Sequence, residues 1–161
     1  MPITSSAISL EGKEWWIIKS LPVKTKDLLD SKLLLNLSII LPFWLVSEVL
    51  FIIALKPDVM ELFWLMVIPI VMIVFCCVFG LAVNLKMPVF DWENEVAVIK
   101  QSASSFIGGI LGFLIVLLCA VPTIICPEKY DNMAKSIICI AVALVTGYMY
   151  QKNNRVNLQE L

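Results

Sequence analysis

Glu48 is the residue of this chain that most demands a chemical explanation. It is a carboxylate inside the apolar run 33–55, two turns from the end of that run. An ionisable side chain at such a depth costs several kcal/mol, roughly 2.5 to 3.5 for Asp, Lys or Arg at a helix centre. It is therefore expected to face a bundle interior or water. Two readings stay open: a pathway or gating residue, or a glutamate that reaches the interface or stays protonated. Asn36 and Asn84 stand near the ends of two apolar runs, where helix-to-helix hydrogen bonds are possible and modest in value. Gly108 and Gly112 form a G-x-x-x-G pair, a spacing that lets helices approach closely.

Other reactive chemistry is sparse. The chain contains no histidine, which removes the commonest general base and a frequent metal ligand. Its five cysteines, Cys76, Cys77, Cys119, Cys126 and Cys139, all lie in apolar runs and have no C-x-x-C pairing. They read as small buried hydrophobes. No phosphate-binding loop, zinc-protease helix or nucleophile elbow occurs. No cofactor and no metal are expected, and the chain is not expected to be an enzyme.

The elements that must position these residues are membrane spans. The chain has 161 residues, 60% of them apolar, and a mean hydropathy of +0.93. A spanning helix needs about 20 mainly apolar residues, since the hydrocarbon core is about 30 Å thick. Four runs qualify: 33–55, 62–85, 106–126 and 134–150. They do not alternate in polarity as barrel strands would. The expectation is an all-α integral membrane protein whose four-helix domain covers 33–150. Pro42 and Pro69 fall inside spans and should kink them.

Nine of the twelve basic residues lie before the first span, between the second and third, or after the fourth. Basic residues in short loops favour the cytoplasm, so both termini are expected inside, with a polar cytoplasmic tail at 151–161. No secretory leader is evident, and the first span is expected to serve as the insertion signal. The net charge of −1 gives no reason to expect a nucleic-acid partner; membrane lipid is the expected one. Residues 1–32 mix charge with aromatics and are expected to form an amphipathic cytoplasmic segment. A helix there should end near Pro22, and a second short one, 26–32, should run into the first span. Between spans two and three, Asp91 is a plausible N-cap, with Glu93 and Glu95 in the first turn. Trp92, Val96 and Ile99 follow at helical spacing, so a short cytoplasmic helix is expected within 86–102. The loops at the opposite ends, 56–61 and 127–133, are short turns.

Two of these segments carry a resemblance. The stretch Ile8-Ser9-Leu10-Glu11-Gly12-Lys13-Glu14-Trp15-Trp16-Ile17-Ile18-Lys19-Ser20-Leu21-Pro22-Val23, followed by Ser31-Lys32-Leu33-Leu34, resembles bacterial ABC-type exporter permeases. So does Pro88-Val89-Phe90-Asp91-Trp92-Glu93-Asn94-Glu95 with Val98-Ile99-Lys100-Gln101-Ser102, which is similar to an element of Gram-positive permeases. The resemblance implies a permease subunit, or the C-terminal part of one, paired with a separate ABC ATPase and with further transmembrane segments from another chain or copy. Its implied ATPase-coupling surface is Glu11, Lys13, Trp15, Trp16, Lys19 and Pro22, with Trp92, Glu93, Glu95 and Lys100. The alternative is a small membrane accessory or regulatory protein with no transport activity of its own.

Overall fold

The structure, a computed structural model, describes residues 3–20, 24–88, 103–125 and 128–156. Among the described residues every regular element is helical. Two short 3-10 segments, Ile3–Ser5 and Ser9–Glu14, precede the six-residue helix α1, Trp15–Ser20. Four long helices follow: α2, Thr25–Leu55; α3, Val59–Lys86; α4, Ala103–Ile125; and α5, Glu128–Asn153. This is an all-α membrane protein. α2, α3 and α5 are long and apolar enough to cross a bilayer, and α4 contributes the shorter apolar stretch Phe106–Val121.

The helices run past the apolar runs at both ends. α2 has 31 residues, about 46 Å at 1.5 Å per residue, so its first turns extend beyond a hydrocarbon core of about 30 Å. The short helix expected at 26–32 is simply the start of α2. Asp27 sits in its first turn, where a carboxylate complements the helix dipole. At the other end Lys56 takes a left-handed conformation, φ 47°, and its N–H reaches the carbonyl of Ile52 at 3.0 Å. Pro57 follows, and a residue before proline is disfavoured in the α region, so the chain turns. Asp58 then caps α3, its backbone N–H donating to Glu61 Oε2 at 3.3 Å. Pro42 and Pro69 both lie inside helices that continue through them. The turn expected at 127–133 is largely helical, because α5 begins at Glu128. There Lys135 pairs with Asp131 one turn away, and Trp64 Nε1 donates to Asn132 Oδ1 at 2.7 Å.

α3 is the hub, packed against α2, α4 and α5. The buried core gathers at the end of the bundle that carries both termini: Ile8, Leu29, Leu33, Cys77, Val78, Leu81 and Leu85. Elsewhere the helices are mostly exposed. Only 6% to 17% of the most apolar window of α2, α3 and α5 is buried within the bundle. That much exposed apolar surface suits lipid or further helices, not water.

Candidate functional site

At the terminal end the chain folds back into its own bundle. Residues Thr4 to Ser9 are buried, against α2, α3 and α4 through the first 3-10 segment. Asn84, fully buried on α3, holds them. Its Oδ1 accepts the backbone N–H of Ile8 at 2.8 Å and of Ser9 at 3.2 Å. Its Nδ2 donates to Ser9 Oγ at 2.8 Å and to Ser104 Oγ of α4 at 3.2 Å. One amide side chain thus joins the N-terminal segment to two helices. Gly108 makes room for it: a Cβ there would meet Ser5 Cβ at 3.5 Å and Val83 at 4.0 Å. Gly12 then turns the chain at φ 52°, a left-handed value that favours glycine, and Glu11 pairs with Lys32 of α2. Residues 4–11 of the segment expected to be amphipathic and interfacial are therefore docked in the bundle. The sequence carries no signal of this docking beyond a row of small residues, Thr4-Ser5-Ser6-Ala7.

Deeper in the bundle, Asn36 Nδ2 donates to Cys77 Sγ at 2.9 Å, linking α2 to α3. Glu48 is only 4% exposed. Trp44 Nε1, one turn before it, donates to Oε1 at 2.8 Å, whereas Oε2 is buried with no partner among the described residues. Glu48 lies about 6 Å from the middle of the run 33–55, at 1.5 Å per residue.

A groove of about 440 Å³ lies between α2, α3 and α5. Leu33 and Leu37 line it from α2, Val74 and Cys77 from α3, and Ala143, Gly147 and Tyr150 from α5. Gly147 opens onto it: its own helix backbone apart, no atom of the described residues lies within 4 Å of where its Cβ would stand. At its terminal-end mouth Tyr150 Oη donates to Asp30 Oδ1 at 2.7 Å. A second apolar groove, about 290 Å³, lies between α3 and α4 beside Gly108 and Gly112. Gly112 has no neighbour within 4 Å of its Cβ position, so the glycine pair serves the N-terminal segment and this groove.

Of the residues expected to form a coupling surface, Glu11 is engaged with Lys32, and Trp16 stands 67% exposed on α1 beside exposed Ile17. Lys13, Trp15 and Lys19 lie on the described backbone, and their side chains lie outside the described ones. Pro22, Trp92, Glu93, Glu95 and Lys100, with the whole short helix expected within 86–102, lie outside the described residues.

Comparison with known proteins gives one family. A model described as "Membrane protein of 12 TMs" matches residues 2–151. No curated protein and no solved structure matches.

Proposed function

The chain belongs to the family of membrane proteins of 12 transmembrane segments, and from that premise we propose that it is a permease component of an ABC-type exporter, energised by a separate ATPase. The observation that carries the reading is Glu48. A carboxylate kept at membrane depth, 4% exposed, with one oxygen unpartnered among the described residues, costs free energy. Such residues mark paths for ions and substrates. The sequence holds no phosphate-binding loop, so the work comes from another subunit, and this chain does no covalent chemistry. α1 leads directly into the segment held by Asn84 and Lys32. A displacement of α1 would thus be passed to α2, α3 and α4 together. In this reading the end carrying both termini faces the cytoplasm, as the basic residues favour, and further spans complete the transporter.

Trp92 is the anchor we assign to the ATPase, because a large aromatic in a small contact carries on the order of 2 kcal/mol or more. The test is co-purification of the ATPase with wild type and with Trp92→Ala. The substitution should weaken recovery of the ATPase while membrane insertion, set by the apolar spans, is unchanged. Equal recovery would remove Trp92 as anchor. If no ATPase co-purifies with the wild type, the chain is a non-transporting accessory protein.

A further inference from the structure

Two lysines from different helices line one pocket, at the depth where both helices leave the hydrocarbon. Lys86 directly follows the apolar run 62–85, and Lys152 stands just past the run 134–150. Each lies in the last turn of its helix, α3 and α5 respectively. The pocket between these helix ends is small, about 180 Å³. Both lysines line it, with Leu85 from α3 and Tyr148, Met149 and Asn153 from α5. Asn153 is buried and donates from Nδ2 to the carbonyl of Val78 at 3.3 Å, which holds α5 against α3 beside the pocket. No acidic side chain lines this space among the described residues. Neither lysine pairs with a carboxylate among them, since their ion pairs are Glu11–Lys32 and Asp131–Lys135. The two helix C-termini carry about half a negative charge each. Two ammonium groups outweigh that and leave about one positive charge in excess.

An apolar stripe leads away from the pocket. Ile137, Ile140, Leu144 and Tyr148 of α5 are all exposed. Their spacing of three, four and four residues puts them on one face of the helix. The stripe is about 16 Å long at 1.5 Å per residue. That is the depth of one leaflet, half of a hydrocarbon core of about 30 Å. Tyr148 belongs to both features, closing the stripe and lining the pocket.

We propose that the pocket binds the phosphate headgroup of an anionic phospholipid, whose acyl chains lie along this stripe. The inference goes beyond the permease reading and uses only the bundle's place in a membrane. Sites that enclose a whole small molecule hold roughly 300–1,000 Å³, so 180 Å³ suits a headgroup whose tails stay in the bilayer. Basic pockets between spans at the membrane surface take anionic headgroups, and the excess positive charge disfavours a zwitterionic one. The stripe favours a lipid over free phosphate, because only the lipid has tails to lay on it. A lysine that merely complements its own helix end has no need to share a pocket with a second lysine from another helix.

The test is native mass spectrometry of the full chain in detergent, titrated with phosphatidylglycerol, phosphatidylcholine or glycerol phosphate. Phosphatidylglycerol should bind most tightly of the three. A lysine beside an anionic headgroup contributes about fivefold in affinity. Lys86→Gln and Lys152→Gln should therefore each weaken phosphatidylglycerol binding about fivefold, and the double variant about 25-fold. Lys86→Arg should keep it. Lys26→Gln alters an exposed lysine at the same end of the bundle, on α2 and outside the pocket, and should leave binding unchanged. An equal loss in Lys26→Gln would assign the effect to the charge of the whole end and overturn the pocket. Phosphatidylcholine binding as tightly, glycerol phosphate binding as tightly, or a double variant within about twofold of wild type would each overturn the proposal as well. The comparison of the three ligands needs the wild type alone, so it decides the matter even where a variant fails to fold.

Discussion

Replacing Asn84 by alanine removes all the contacts its side chain makes: two accepted from the amides of Ile8 and Ser9 and two donated to Ser9 and Ser104. If the N-terminal segment stayed docked, two buried amides would lose their acceptor at about 1–3 kcal/mol each, or about 2–6 together. Undocking would forgo the burial of Ile8, which is 1% exposed and contributes about 1.5–3 kcal/mol. The second route is the cheaper and also returns chain entropy. The segment should therefore leave the bundle, with a shift in the docking equilibrium of about 3 kcal/mol, roughly 100-fold. Hydrogen–deuterium exchange of the peptide covering residues 4–11, in detergent micelles, reads this directly. In Asn84→Ala the amides of residues 8 and 9 should exchange faster by that factor, while the middle of α3 keeps its protection. Asn84→Asp, which keeps the accepting oxygens and loses the donors, should fall between. Exchange at residues 8 and 9 within about threefold of wild type in Asn84→Ala would refute the assignment of Asn84 as the clasp, since threefold is under 1 kcal/mol.

Gly108 tests the same clasp from the other helix. A methyl group there meets Ser5 at 3.5 Å, an ordinary contact, and alanine gains up to about 1 kcal/mol of helix propensity; Gly108→Ala should unfold no earlier than wild type on heating, whereas Gly108→Leu should displace Ser5 and reproduce the rapid exchange of Asn84→Ala. Matching exchange in Gly108→Leu and wild type would show that Ser5 does not pack there. The proposed orientation is the one that nine of the twelve basic residues favour by their place in the sequence: tags at either terminus should resist a membrane-impermeant reagent in intact cells, and a Pro57→Cys variant should react. Reaction of either tag from outside would reverse the assignment.

The spans were legible because a bilayer imposes a length and an apolarity that no other environment demands of a helix. Each apolar run lies within or against one long helix, apart from Cys126, outside the described residues. The helix ends were less legible. Apolarity marks where hydrocarbon stops, not where backbone hydrogen bonding stops, so α2 and α5 overrun into charged sequence such as Asp27 and Asp131. The docking of Thr4 to Ser9 was not legible at all. Hydropathy averages a segment against solvent, and nothing in a row of small polar residues says that an asparagine 75 residues later will accept its amides.

The three polar residues flagged inside or beside the spans separate once their partners are known. Asn84 has its hydrogen-bonding capacity met on both sides, and its removal is predicted to cost docking of one segment. Asn36 finds Cys77, a weak acceptor, and ties two helices. Glu48 differs in kind: a carboxylate wants more partners than an amide, yet one of its oxygens has none among the described residues. Structural polar groups in a membrane are satisfied because lipid offers no substitute for water. A group that combines deep burial, ionisable chemistry and an open oxygen is held at a cost that contacts among the described residues do not offset.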